Sequence, residues 1–217
     1  MSAYVPRQDE NGGTRVKLPE EVKNAVILTL RRNGRNLSKG EESLRRNEEW
    51  DELCWACRLE TPTHVILVWH VATTLCTIGS RTVSLSNENF IIASALSGYC
   101  AYLLPFAPSL ICTNATVSIF IFDQLINEAS GILLSSDLDN YIYQKLMNQP
   151  DRGGDRIIQR GAALANDLQQ IKNDERDFLW KVLSDFWSEY MLFLSPSGDP
   201  MANVEHLAKG GEFVTHL

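Results

Sequence analysis

Charge is what the middle of this chain lacks. Between Thr61 and Ser136 only four of seventy-six residues are Asp, Glu, Lys or Arg, so most of that stretch must be hidden from water. Positions 89–122, thirty-four in succession, carry no charge at all. Cysteine is sparse too: the five present, odd in number and set among apolar residues, fit reduced thiols packed as small hydrophobes rather than a disulfide framework. The opening MSAYVPRQDENGG has no apolar h-region and reads as neither a signal peptide nor a signal anchor. The Asn-X-Ser/Thr triplets at Asn36 and Asn114 are then chance matches. Strand-like alternation, an internal repeat, a phosphate loop, a metal-binding histidine pair and a serine elbow are missing as well.

What charge there is lies unevenly. Residues 1–60 carry eleven basic and eleven acidic side chains and residues 61–217 carry nine and sixteen, for a net charge of −7. The apolar part is the acidic part. A surface that repels phosphate excludes nucleic acid as the expected partner, since affinity for nucleic acid comes mainly from Lys and Arg on the backbone phosphates. The clusters Arg31-Arg32-Arg35 and Arg45-Arg46 are diluted by neighbouring glutamates.

The periodicities are helical. Residues 1–17 read as a disordered lead with Gly12-Gly13 and almost nothing to bury, followed by an N-terminal helix and polar connection over 18–60 and a helical domain over 61–217. The first helix starts at Pro19, with Glu20 and Glu21 in its first turn, and stops at Asn33-Gly34. Residues 35–50 read as a loop with a short helical turn, Ser38 and Glu41 standing at capping-box spacing. Thr61-Pro62-Thr63 opens a helix that is apolar nearly all round. Pro105 and Pro108 divide the charge-free run into pieces of sixteen and fourteen residues, which favours a buried core helix plus a second apolar segment over a membrane span. In the first piece Ser94, Ser97, Gly98 and Ala101 share a face that lets another backbone come close. Residues 135–154 read as a solvent-facing connection. Two amphipathic helices follow: one has Ile157, Leu164, Leu168 and Ile171 on its apolar face and Gly161 for close approach. The other has a polar stripe of Asp177, Lys181, Ser184, Asp185 and Ser188, with the rest aromatic or aliphatic. A last helix, NVEHLAK, stops at Gly210-Gly211. Together these predict an all-α fold, an irregular helical bundle of about six to eight helices around one core.

Three constellations invite a chemical reading. CWAC, Cys54 to Cys57, has the spacing of a redox or zinc motif, but the preceding Asp51-Glu52 would raise the thiol pKa and no second ligand pair is near in sequence; two packed thiols beside Trp55 is the plainer reading. In VWHVATTLC, His70 with Thr63, Thr74 and Thr77 forms a polar seam along an apolar helix. His70 can be a general base with Cys76 or Cys100 as nucleophile, or a core histidine bonded along the seam, and the seam favours the second. His206 with Gly210, Gly211 and Glu212 has the makings of an anion nest with acid–base groups beside it, against a helix C-cap and restart. No catalytic residue, metal ligand or cofactor is assigned; His70, His206, Gly210, Gly211 and Glu212 are the binding candidates.

The order LSKGEESLRRN, LCWAC, ILVWHVATTLC, LSGYCAYLLPFAPSLI, FLWKVLSDFWSEYML and HLAKGGEFVTHL resembles the plant family of uncharacterised proteins with domain of unknown function 4220 and a C-terminal domain of unknown function 594. WHVAT at Trp69–Thr73 and H-x3-GGEF at His206–Phe213 carry it most specifically. The resemblance implies transmembrane helices ahead of this region in other members, and no established activity, cofactor or catalytic residue. By that likeness the chain reads as the C-terminal half of such a protein, truncated at its end, on the cytoplasmic face of a membrane or in the cytoplasm. The function expected is a non-enzymatic protein-interaction or scaffolding domain with an unknown protein partner. The alternatives are a hydrolase or anion-binding site around His70, His206 and Glu212, and an integral membrane protein inserted through residues 89–122.

Overall fold

The computed structural model of the protein describes residues 19–34, 38–80, 87–106, 108, 114–133, 139–148, 150–171 and 176–194. Among these the chain is all-α: α1 (Glu20–Asn33), α2 (Glu41–Arg46), α3 (Trp50–Cys57), α4 (Pro62–Gly79), α5 (Glu88–Phe106), α6 (Ala115–Leu133), α7 (Asp139–Met147), α8 (Ile157–Gln170) and α9 (Arg176–Leu194). The lead over 1–17 and the NVEHLAK helix lie outside the described residues.

Local chemistry accounts for where the helices begin and end. In α1 the acids Glu20 and Glu21 sit in the first turn and Arg31 and Arg32 in the last, each favourable with the helix dipole, and Gly34 closes it at a positive φ of 58°. Pro62 opens α4, and the Thr61 hydroxyl accepts the His64 N–H at 3.3 Å. Asn87 and Asn114 cap α5 and α6 in the same way, accepting the N–H groups of Phe90 and Val117 at 3.1 and 3.2 Å. Pro105 is carried inside the final turn of α5, so the helix ends at Phe106, two residues later than the proline rule predicts.

Three short helices lie over stretches read as connections. The short helical turn expected within 35–50 is α2, which Gly40 starts from a left-handed φ of 83°, with the Phe186 ring packed where a side chain at Gly40 would be. α3 carries CWAC, and α7 lies within the stretch read as a solvent-facing connection. All three are too short to show a helical period above noise, which is why six to eight helices became nine among the described residues.

The core is a single cluster that draws on both the 18–60 segment and the rest of the chain. Its largest members are Trp69 of α4 and Trp180, Phe186, Trp187 and Tyr190 of α9, each almost fully buried. Trp69 stacks on Phe186 with ring centroids 3.4 Å apart. Buried Trp and Tyr need partners for their polar ends, and three of these show theirs. Trp69 Nε1–H donates to the Ala56 carbonyl at 3.2 Å, Trp187 Nε1–H to Thr73 Oγ1 at 3.1 Å, and the Tyr190 hydroxyl to the Pro62 carbonyl at 3.2 Å. Helix α4 lies against α8 and α5, while α9 lies against α5, α1 and α2.

Gly161 is where α8 reaches α4. A Cβ there would collide with the Val71 side chain and press on the Val68 carbonyl, whereas a Cβ at Gly98 would meet nothing within 4 Å. The expected close approach is therefore made at Gly161 and not at Gly98, which faces outward. Gly161→Ala is expected to destabilise the fold by about 1–3 kcal/mol through overpacking. Gly98→Ala should be neutral or stabilising by up to about 1 kcal/mol, from helix propensity alone. Urea unfolding midpoints of the two variants test the contrast.

Candidate functional site

The polar seam of α4 is the natural place to look for chemistry. Thr63 and His70 reach neighbouring helices: Thr63 Oγ1 shares a hydrogen bond with Ser118 Oγ of α6 at 2.9 Å, and His70 Nδ1 shares one with Ser97 Oγ of α5, also at 2.9 Å. Thr74 and Thr77 instead donate to carbonyls one turn back on α4 itself, those of His70 and Thr73, each at 2.9 Å. Thr73, which lies off the seam, makes the link to α9 through Trp187.

A Ser–His contact is the start of a nucleophile–base pair, but this one is not built to act. Ser97 is 1% exposed, so a substrate cannot reach its Oγ without the α4–α5 contact opening. Burial lowers the pKa of His70 below 6.5, which keeps the ring neutral and suited to holding two helices together. The thiols weighed as its nucleophiles are fully buried as well, and that burial pushes Cys76 and Cys100 up to about 12. Sulfur in such a state is a packing group.

CWAC occupies the last turn of α3, away from the helix N-terminus that would stabilise a thiolate. Cys57 is buried and its thiol is pushed well up, chiefly by desolvation, while Cys54 is half-buried. Among the described residues no three His, Cys, Asp or Glu side chains are grouped to hold a metal ion. His206, Gly210, Gly211 and Glu212 lie outside the described residues.

Three carboxylates that sequence reasoning passed over turn out to organise the fold. Glu189, on the face of α9 read as aromatic and aliphatic, is fully buried; it accepts the Ser38 hydroxyl and, at 2.6 Å, the Ser43 N–H, so α9 supplies the anion at the start of α2. Glu128 of α6 accepts the N–H groups of Ile157 and Ile158 at 3.3 and 3.1 Å, capping α8 from another helix. Glu60 takes a two-pronged ion pair from Arg160, both contacts 2.8 Å, which holds its pKa down to about 2. A spacing rule cannot find such long-range caps; the only cue in the sequence is an acid inside an apolar face.

Outward-facing apolar side chains gather at one end of the α5–α6 pair. Phe106 is 63% exposed and Phe120 62% exposed, and Tyr102, Val117 and Ile119 are exposed with them; Ile126 is exposed separately, midway along α6. Tyr102 and Phe106 stack with centroids 4.5 Å apart. Helix α5 is also long and apolar enough to cross a membrane by length and composition. A separate cavity of about 500 Å³ lies between α6, α7 and α8, lined by Asn127, Glu128, Lys145, Arg156, Ile158 and Gln159 among others.

Residues 172–217 match the family model of a protein of unknown function, DUF594. The described part of that segment is α9, whose aromatic face and Glu189 are buried against α1, α2 and α5. The described part of the matched segment, α9, is thus an integral member of this fold. No curated protein and no solved structure matches the chain.

Two pH responses follow from these contacts. His70 has its folded pKa below the ordinary 6.5, so its contribution is complete above that value and is lost as pH falls beneath it. His70→Gln should therefore flatten the fall in urea stability from about pH 7.5 to about pH 5. The flattening is partial, because burial also lowers His64. Glu60 has its folded pKa below the ordinary 4.5, so its contribution stands above 4.5 and is lost as pH falls towards about 2. Glu60→Gln should remove that acid limb, read by circular dichroism during acid titration.

Proposed function

We propose that this chain is a non-enzymatic docking domain, a protein-interaction or scaffolding element of a plant membrane-associated protein. We place it with proteins carrying domain of unknown function 4220 ahead of the DUF594 segment. The single observation that carries the reading is the exposed apolar end of α5 and α6. Phe106 and Phe120 stand in water while the Cys57, Cys76 and Cys100 thiols and the Ser97–His70 contact are withdrawn from it. Exposed apolar surface on a folded domain marks a place of contact. Buried nucleophiles offer a substrate nothing to meet.

The hydrolase alternative asks His70 to act with His206 and Glu212. The bond from His70 to buried Ser97 supports a holding role for that histidine instead. The reading is tested by fractionating plant extracts that express the full chain. Wild type should sediment with membranes or large complexes, Phe106→Asp/Phe120→Asp should move to the low-mass soluble fraction, and His70→Gln should behave as wild type. A distribution unchanged by the double substitution would overturn the reading.

A further inference from the structure

We infer that the apolar end of the α5–α6 pair seats in one leaflet of a lipid bilayer, with the rest of the domain standing in water beside it. The inference rests on the docking reading and names its partner surface.

Charge distribution along the two helices is the first argument. Glu88 begins α5 and Asp123 follows the first two turns of α6; between them in sequence, positions 89–122 hold no charged residue. At 1.5 Å per residue, Gly98 to Phe106 and Ala115 to Phe122 each cover only about 10–12 Å. That depth suits one leaflet, since the full hydrocarbon core is about 30 Å thick. A span by α5 would have to strip Ile92, Ala93, Leu96, Cys100, Leu103 and Leu104 from the core they are buried in. The geometry therefore favours a wedge over a crossing.

The second argument is what the exposed end presents. Its side chains are Tyr102, Phe106, Val117, Ile119 and Phe120, which supply apolar area with a phenol of the kind that rests at headgroup level. Two of the polar groups nearby are tied down internally, Ser118 Oγ to Thr63 Oγ1 and the Val117 N–H to Asn114 Oδ1, while Asn114 and Thr116 are exposed at the rim. Thr63 brings the start of α4 beside α6, and the charges there face each other, Glu60 against Arg160, while burial holds His64 towards its neutral form. A net charge of −7 provides no general attraction to anionic lipid, so the surface expected is a zwitterionic one.

The purified full-length chain is floated with phosphatidylcholine vesicles. Wild type should rise with the vesicles at both about 0.1 M and about 0.5 M salt, because apolar burial is not screened. Phe106→Asp/Phe120→Asp should lower the floated fraction at least about tenfold, given the cost of a carboxylate in the hydrocarbon region. Leu28→Asp/Ile78→Asp, at exposed apolar positions on α1 and α4, should float as wild type. Phe120→Trp, which keeps the apolar surface, should show a blue-shifted emission on adding vesicles; this reports seating even where the aspartates disturb folding. Wild type left at the bottom of the gradient overturns the inference, as does equal loss in the Leu28/Ile78 control. So does a dimer in size-exclusion chromatography that Phe120→Asp dissolves while nothing floats. If vesicles fail but sedimentation in extracts still depends on Phe106 and Phe120, the docking reading stands and the occupant is a protein.

Discussion

The contact between α4 and α9 is the one on which the rest of this structure depends. α4 has no Asp, Glu, Lys or Arg from Pro62 to Gly79 and is packed by other helices along most of its surface, yet it buries Thr63 and Thr73, whose hydroxyls cannot be left bare. α9 meets both demands with one aromatic face. Phe186 lies flat on Trp69, and Trp187 brings an N–H to Thr73. A hydroxyl that would cost about 1–3 kcal/mol if buried alone becomes a positional pin between two long helices. Neighbours then complete the cage, α5 through Ser97, α6 through Ser118 and α8 through the gap at Gly161.

Acids carry the same logic to the edges of the fold. Short helices cannot satisfy their own first N–H groups, and α2, at six residues, would not persist by itself. Glu128 of α6 secures the start of α8 by tertiary contact, and Glu189 of α9 shares the start of α2 with Ser38, whose hydroxyl accepts the Glu42 N–H at 3.0 Å. Burying a carboxylate is tolerable where N–H and O–H groups point at it, and Glu189 has both a backbone and a hydroxyl donor. This ties the DUF594 segment to the first third of the chain. Cutting α9 away would remove the aromatic face and the anchor of α2 together.

What could be read in advance divides along the same line between local and distant causes. The limits of α1 and the start of α4 were legible because their signals, Pro19, Gly34 and Thr61-Pro62, act within one turn. Gly161 was legible as a gap in an otherwise apolar face. The seam was legible as a stripe, but its wiring was not: spacing cannot say that Thr63 and His70 cross to other helices while Thr74 and Thr77 fold back on α4. Thr73 and Glu189 escaped notice because each looks out of place on its own helix and makes sense only against a partner more than a hundred residues away. The Ser94, Ser97, Gly98 and Ala101 face was half legible: Ser97 meets α4, whereas Gly98 looks outward.

That outward turn bears on function. A buried helix with small residues on one side and large ones on the other normally places the small side against a neighbour, because close backbone approach there gains dispersion contacts. In α5 the large side chains Leu96, Leu103 and Leu104 take the core, and Gly98, Tyr102 and Phe106, spaced four residues apart, form a line in solvent. Stability of the domain does not require that line to be apolar. A chain selected only to fold would place polar residues there at no cost to the core, as it does at Asp123 and Gln124 further along α6. The fold itself therefore does not account for the apolar character of that line, whereas burial does account for the quiet chemistry of Ser97, Cys76 and Cys100 among the described residues.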